Sequence, residues 1–218
     1  MSASPLSHKV VSKKQWDERR AELLKKEKQL TKEKDALTAE IRDLPWVKID
    51  KNYVFHTTAG DKTLVELFEG KTQLFVYHFM LGPCCKEACD GCSFWADHFG
   101  GFRYHLPQRD VSFKVISRAS LERIQRYRDR MGWEFDWVSS ADSDFNFDFG
   151  LSLGEDREYS GSSVFARNGD TVYHTYFTNG RGDEFLCPTY AILDLVPKGR
   201  DESSFSFPMD WVKLHDQY

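Results

Sequence analysis

Gln73-Leu74-Phe75-Val76-Tyr77-His78-Phe79-Met80 leads through Leu81-Gly82-Pro83 into Cys84-Cys85-Lys86-Glu87-Ala88-Cys89-Asp90-Gly91-Cys92, followed by Ser93-Phe94-Trp95-Ala96-Asp97-His98-Phe99. The apolar run that stops at Gly82-Pro83 reads as a buried strand, and the aromatic run from Ser93 to about His105 reads as a helix. Four of the five cysteines fall within the nine residues from Cys84 to Cys92. Cys89 and Cys92 are three positions apart where the helix begins. The backbone dipoles of a helix N-terminus favour a thiolate there, so strand, short loop, Cys-x-x-Cys and helix form a unit suited to thiol–disulfide exchange.

Working outward, 218 residues with 40% hydrophobic and 15% aromatic content suffice for one sizeable core with an appendage. A net charge of −4 with mixed signs offers no basic field for nucleic acid or an anionic membrane, so neither is an expected partner. No run of 18 apolar residues occurs, and Met1 to His8 lacks the apolar core of a signal peptide, which leads us to expect a cytoplasmic protein. In a reducing compartment, an odd number of cysteines with four of them clustered points to redox or metal chemistry rather than a disulfide framework.

The chain divides into an extension, residues 1–44, and a compact domain, residues 45–218. Residues 13–43 carry 18 charged positions around a narrow stripe in which Trp16, Leu23, Leu30, Leu37 and Leu44 recur every seventh residue. This spacing predicts one long helix ended by Pro45, either lying along its own domain or forming the seam of a homodimer. Within the domain, Trp46–Ile49 and Tyr53–His56 read as short strands joined by a turn and Thr63–Phe68 as a short helix. Val111–Ser117 reads as a strand followed by a helix over Ser120–Met131. Asn168-Gly169 between Ser163–Arg167 and Thr171–Tyr176 signals a hairpin. Glu184–Leu195 reads as a last core helix, interrupted by Pro188, and Asp210–Tyr218 as a short docked one. A parallel pair, an antiparallel hairpin and covering helices make an α/β, thioredoxin-like fold: a central mixed sheet flanked by helices, with a long N-terminal helix.

From Tyr77 to Phe99, and again in Arg130-Met131-Gly132-Trp133, Ser143-Asp144-Phe145-Asn146, His174-Thr175-Tyr176, Arg181-Gly182 and Asp210-Trp211-Val212, the chain resembles the thioredoxin-like bacterial proteins grouped as domain-of-unknown-function family 899. The likeness spans roughly residues 16–218. It implies a thioredoxin fold related to peroxiredoxins. The chain departs from that pattern at Asp90-Gly91, between the cysteines. It also has no proline in Tyr159-Ser160-Gly161-Ser162-Ser163, where thioredoxins place one before the third core strand.

The residues themselves assign Cys89 as the attacking thiolate and Cys92 as the resolving thiol, acting on a small-molecule or protein disulfide, a peroxide or a similar substrate with no cofactor. Asp90 sets a negative charge beside Cys89, which predicts a weakly acidic thiol rather than that of a strong oxidant. Auxiliary candidates are Cys84 and Cys85, Lys86 as a positive neighbour, and His174 and Arg181 at predicted element ends. The alternative is a copper- or zinc-binding protein using Cys84, Cys85, Cys89 and Cys92 with His78 or His98.

Overall fold

The computed structural model describes residues 7–154 and 157–218; residues 1–6 of the extension lie outside the described residues. Helix α1 (Lys13–Arg42) starts with Ser12 as its cap, in reciprocal hydrogen bonds with Gln15, and stops before Pro45. No residue of α1 is buried, and Trp16, Leu23, Leu30, Leu37 and Leu44 are all exposed. The stripe therefore does not lie along the chain's own domain, the first of the two alternatives its spacing left open.

Among the described residues eight strands form one sheet: β1 (Val47–Ile49), β2 (Val54–Thr57), β3 (Gly60–Thr63), β4 (Gln73–His78), β5 (Val111–Ser117), β6 (Trp137–Ser139), β7 (Gly161–Asn168) and β8 (Thr171–Thr178). Their order is β1-β8-β7-β4-β5-β6-β2-β3. In the centre β4 runs parallel to β5 and antiparallel to β7, which forms the hairpin with β8. Gly169 at the hairpin turn has φ 58, a backbone state open to glycine at little strain. Helix α2 (Asp90–Ala96) follows β4, a short α3 (Phe102–His105) continues it, α4 (Leu121–Arg130) follows β5, and α6 (Pro188–Leu193) follows β8; the one-turn α5 (Phe145–Asp148) lies beyond β6. A β4–α2–β5–α4–β7–β8–α6 sequence with strand order β5-β4-β7-β8 is the thioredoxin fold, extended by β6, β2 and β3 on one edge and β1 on the other.

Several boundaries differ from the sequence reading. The two strands flanking Asp50-Lys51-Asn52 are present but do not pair: β1 joins β8 and β2 joins β3, at opposite ends of the sheet. The polar stretch Gly60–Thr63 is an edge strand and Trp137–Ser139 a central one. Helix α2 begins at Asp90 and ends at Ala96, because Gly100 and Gly101 break the next segment into short turns. Glu184–Leu195 is likewise broken, a 3-10 turn ending at Leu186 and α6 starting only at Pro188. The tail forms a single tight turn at His215–Gln217, yet Val212 and Leu214 are buried.

The alternation of β4 divides the core in two. Tyr77 and Phe79 face a cluster with Phe94, Trp95, Phe99, Phe113, Trp133, Phe135 and Trp137. Leu74 and Val76 face a second cluster with Phe55, Phe68, Phe145 and Phe165. Each fully buried phenylalanine contributes roughly 2–3 kcal/mol.

Candidate redox site

The helix that begins after Cys89 fixes both thiols. Cys89 is the N-cap of α2, extended at φ −67 and ψ 125, and its Sγ accepts from the Cys92 backbone N–H at 3.4 Å. Ser93 Oγ donates to the Cys89 carbonyl at 2.9 Å and closes the first turn. Cys92, one turn in, faces the core at 2% exposure, and its Sγ accepts from the Met80 N–H at 3.4 Å, which ties the helix to the end of the strand run. Cys89 is partly buried. All five cysteines are free thiols.

The two thiols have opposite character. Cys89 is lowered to about 7, chiefly because the Cys92 thiol donates to it and secondarily because the Cys92 and Gly91 N–H groups do; burial and the Asp90 charge act against this. Burial holds Cys92 well above the ordinary thiol range, and the Cys89 charge adds to the shift. The Cys89 alkylation rate with iodoacetamide is therefore expected to rise through a midpoint near pH 7. A midpoint at the ordinary thiol value, or well below 6, would contradict this arrangement.

Two buried polar groups beside α2 and the end of β4 were missed by the sequence reading. Tyr77, 2% exposed, is pushed well above the ordinary phenol value by burial and then by its contact with Cys92. Asp183, 3% exposed, is held against α2 by Trp95, whose Nε1 donates to the Asp183 carbonyl at 3.0 Å. Neither carboxyl oxygen of Asp183 has a partner among the described residues, and burial raises the carboxyl to about 6. Ser162 lies alongside and offsets part of the shift, but the geometry falls short of a hydrogen bond.

The sign of the pH dependence comes from the raised value. Below the unfolded carboxyl range both states are protonated and Asp183 carries no penalty. As pH rises through about 6 the folded state must ionise a buried group, and stability is lost. Asp183→Asn is therefore expected to match the wild type near pH 4 and to exceed it above pH 6 by on the order of 2 kcal/mol, read from urea unfolding. A variant less stable at every pH would refute the unpartnered carboxyl. Tyr77 was legible in principle, since it shares its strand face with Phe79 two positions on, at the edge of the loop. Asp183 gave no local signal.

The remaining candidates separate. Cys85 is partly buried, with its Sγ accepting from Gly82 N–H at 3.3 Å, and Cys84 is exposed. Arg123 of α4 clasps the loop by donating to the Gly82 carbonyl at 3.3 Å and to the Cys85 carbonyl. Lys86 lines a pocket of about 280 Å³ with Glu87, Arg123, Arg126, Tyr127 and Arg130. His78 is fully buried on the face opposite Tyr77, stacked on Phe145, with Nε2 against Ser163 Oγ at 2.8 Å. Burial and then His174 lower it to about 3. His98 is bound through Nε2 to Thr189 Oγ1 at 2.8 Å. Neither histidine is brought to the thiols, and among the described residues no group of three or more His, Cys, Asp or Glu side chains is placed to hold a metal ion. His174 packs between Phe149 and Phe165, in the half of the core that lies across the sheet from Tyr77. Arg181 is exposed and paired with Glu184 at 3.0 Å.

Residues 5–218 match the family described as "Bacterial protein of unknown function (DUF899)", and the chain belongs to that family. No curated protein matches. Among solved structures, a PrxQ mutant of Xylella fastidiosa aligns at 16% identity over 64% of this chain and 89% of its own, with a TM-score of 0.45. Peroxidoxin BcpB from Mycobacterium tuberculosis aligns at 14% identity over 68% and 96%, with a TM-score of 0.48. The mitochondrial 2-Cys peroxiredoxin of Plasmodium falciparum aligns at 14% identity over 68% and 94%, also at 0.48. The fold assignment rests on strand order and direction rather than on these likenesses. No helix of the described residues is long and apolar enough to cross a membrane.

Proposed function

We propose that this protein is a thioredoxin-like thiol–disulfide oxidoreductase in which Cys89 attacks and Cys92 resolves. One observation carries the reading: an acidified, partly accessible thiol and a buried, protonated thiol occupy one helical turn at the end of the central strand.

The chemistry balances without a cofactor. The Cys89 thiolate attacks one sulfur of a disulfide or one oxygen of a hydroperoxide; the S–S or O–O bond breaks, and the leaving thiolate or alkoxide takes a proton. Cys92 then loses its proton, and its sulfur attacks Cys89. This expels the second thiol, or water from the sulfenic acid, and leaves a Cys89–Cys92 disulfide. Two electrons pass to the substrate and return from an external thiol by the reverse exchange. Tyr77, which burial keeps protonated, contacts Cys92 and can donate a hydrogen bond to its thiolate as the Cys92 proton passes to the departing thiolate, alkoxide or hydroxide.

The test is a free-thiol count in a variant with Cys84 and Cys85 replaced by serine. Treatment with one equivalent of oxidant should remove two thiols, and dithiothreitol should restore both. Thiols that stay unchanged, or that are lost irreversibly, would reject the reading.

A further inference from the structure

After α6 the chain turns back over the cysteine pair. Glu202 anchors one end, accepting from Tyr190 Oη at 2.9 Å and from Trp211 Nε1 at 2.6 Å. Trp211 in turn meets Phe94 of α2 at 5.5 Å, and Val212 and Leu214 are buried beyond it. Between these anchors residues 207–210 form a closed turn. Asp210 N–H donates to the Phe207 carbonyl at 3.0 Å, and the Asp210 carboxylate accepts from Phe207 N–H at 3.0 Å.

This turn sets Met209 directly on the Cys-x-x-Cys motif. A methyl carbon added to Gly91 would sit 3.0 Å from Met209 Cε and 3.7 Å from both Met209 Sδ and Cys89 Sγ. Thioether and thiol thus converge on one point, and the open space at residue 91 is what admits the methionine. The departure at Asp90-Gly91 has a steric reason: a side chain at 91 would displace the cover. Met209 and Cys89 are both partly buried against the same core cluster.

We propose that Met209 is a specificity-determining residue that roofs Cys89, admitting hydroperoxide-sized electrophiles and excluding protein disulfides and other bulky substrates. The proposal rests on Cys89 being the attacking thiolate and narrows its substrate. In-line attack on a disulfide needs room for a substituent on the attacked sulfur and another on the leaving one, whereas the terminal oxygen of a hydroperoxide carries only hydrogen. The same obstruction applies to the returning electrons, so the reductant of the Cys89–Cys92 disulfide is a small thiol. The Glu202, Tyr190, Trp211 and Phe94 contacts hold the backbone on either side of the turn that carries Met209.

The test compares Met209→Ala and Met209→Leu with the parent chain, all with Cys84 and Cys85 replaced by serine. Cys89 is modified by iodoacetamide and by a fluorescein-bearing iodoacetamide, which shares the reactive group and differs in bulk. Met209→Ala should raise the bulky reagent's rate about tenfold while changing the small reagent's rate less than about threefold, and Met209→Leu should keep the parent ratio. Gly91→Ala, which displaces the methionine without removing it, should shift the ratio in the same direction as Met209→Ala. An unchanged ratio in both Met209→Ala and Gly91→Ala would overturn the roof. Hydrogen peroxide separates the two ideas: if it removes no thiol pair in any variant while the ratio shifts, the roof stands and the redox reading fails. If it removes the pair and the ratio is unmoved, the reverse holds.

Discussion

Cys89→Ser is expected to lower peroxide consumption in the presence of dithiothreitol by on the order of 10³ or more, because the hydroxyl that replaces the thiolate is protonated at any working pH and is a poor nucleophile. Cys92→Ser should act differently. Its first step survives, so Cys89 accumulates as a sulfenic acid or as a mixed disulfide with the added thiol, and mass analysis of the intact protein would show that adduct. The asymmetry comes from the two roles: serine at 92 removes the resolving sulfur but keeps a hydroxyl that can donate to Cys89, so the attacking thiol is retained. Equal, complete loss of the first step in both variants would contradict the division of roles.

The second large effect concerns a buried ion pair that supports the loop. Arg118 Nη1 lies 2.8 Å from Glu158 Oε1, with side-chain exposures of 9% and 3%. Arg118 also donates to the Gly154 carbonyl at 3.0 Å and lies over the Phe147 ring at 4.2 Å, while Glu158 Oε2 accepts from Ser152 Oγ at 2.7 Å. The carboxylate presses on the start of the cysteine loop, since a Cβ on Gly82 would meet Glu158 Oε1 at 2.9 Å. Glu158→Gln leaves the guanidinium buried without a counter-charge and should destabilise the protein by about 3 kcal/mol, read as a lower urea midpoint. Removing both charges, as Arg118→Met with Glu158→Leu, should recover much of that loss. A single-variant loss below about 1 kcal/mol would show that the pair is solvated rather than buried.

The sequence made the centre of this fold legible and left its edges hidden, for physical reasons. The β4 run, the Asn168-Gly169 hairpin and α4 with its Ser120 cap each carry a complete local signal, and they are also the elements that define the thioredoxin core. Strands β3 and β6 are short. Gly60–Thr63 is polar and becomes a strand by folding back on β2 across a two-residue turn, while Trp137–Ser139 is embedded in aromatics and becomes one by pairing with the distant β5 and β2. The exposure of the α1 stripe could not be decided from a spacing that suits either partner.

The site divides in the same way. Cys89 and Cys92 were readable because helix capping and spacing are local properties. Asp183 was not, since Arg181-Gly182-Asp183 looks like an ordinary turn and acquires meaning only when Trp95 holds it against α2. Met209 was equally silent: its role depends on a glycine 118 positions earlier having no side chain, and nothing in either segment announces the other.

The most direct test is the mass of the tryptic peptide spanning residues 87–103, which holds Cys89 and Cys92 and no other cysteine. After one equivalent of oxidant and alkylation without reductant, this peptide should be lighter by two hydrogens and carry no alkyl group. Dithiothreitol before alkylation should convert it to the doubly alkylated form. Recovery of Cys89 joined to the peptide holding Cys84 and Cys85, or of both thiols alkylated despite the oxidant, would contradict the account.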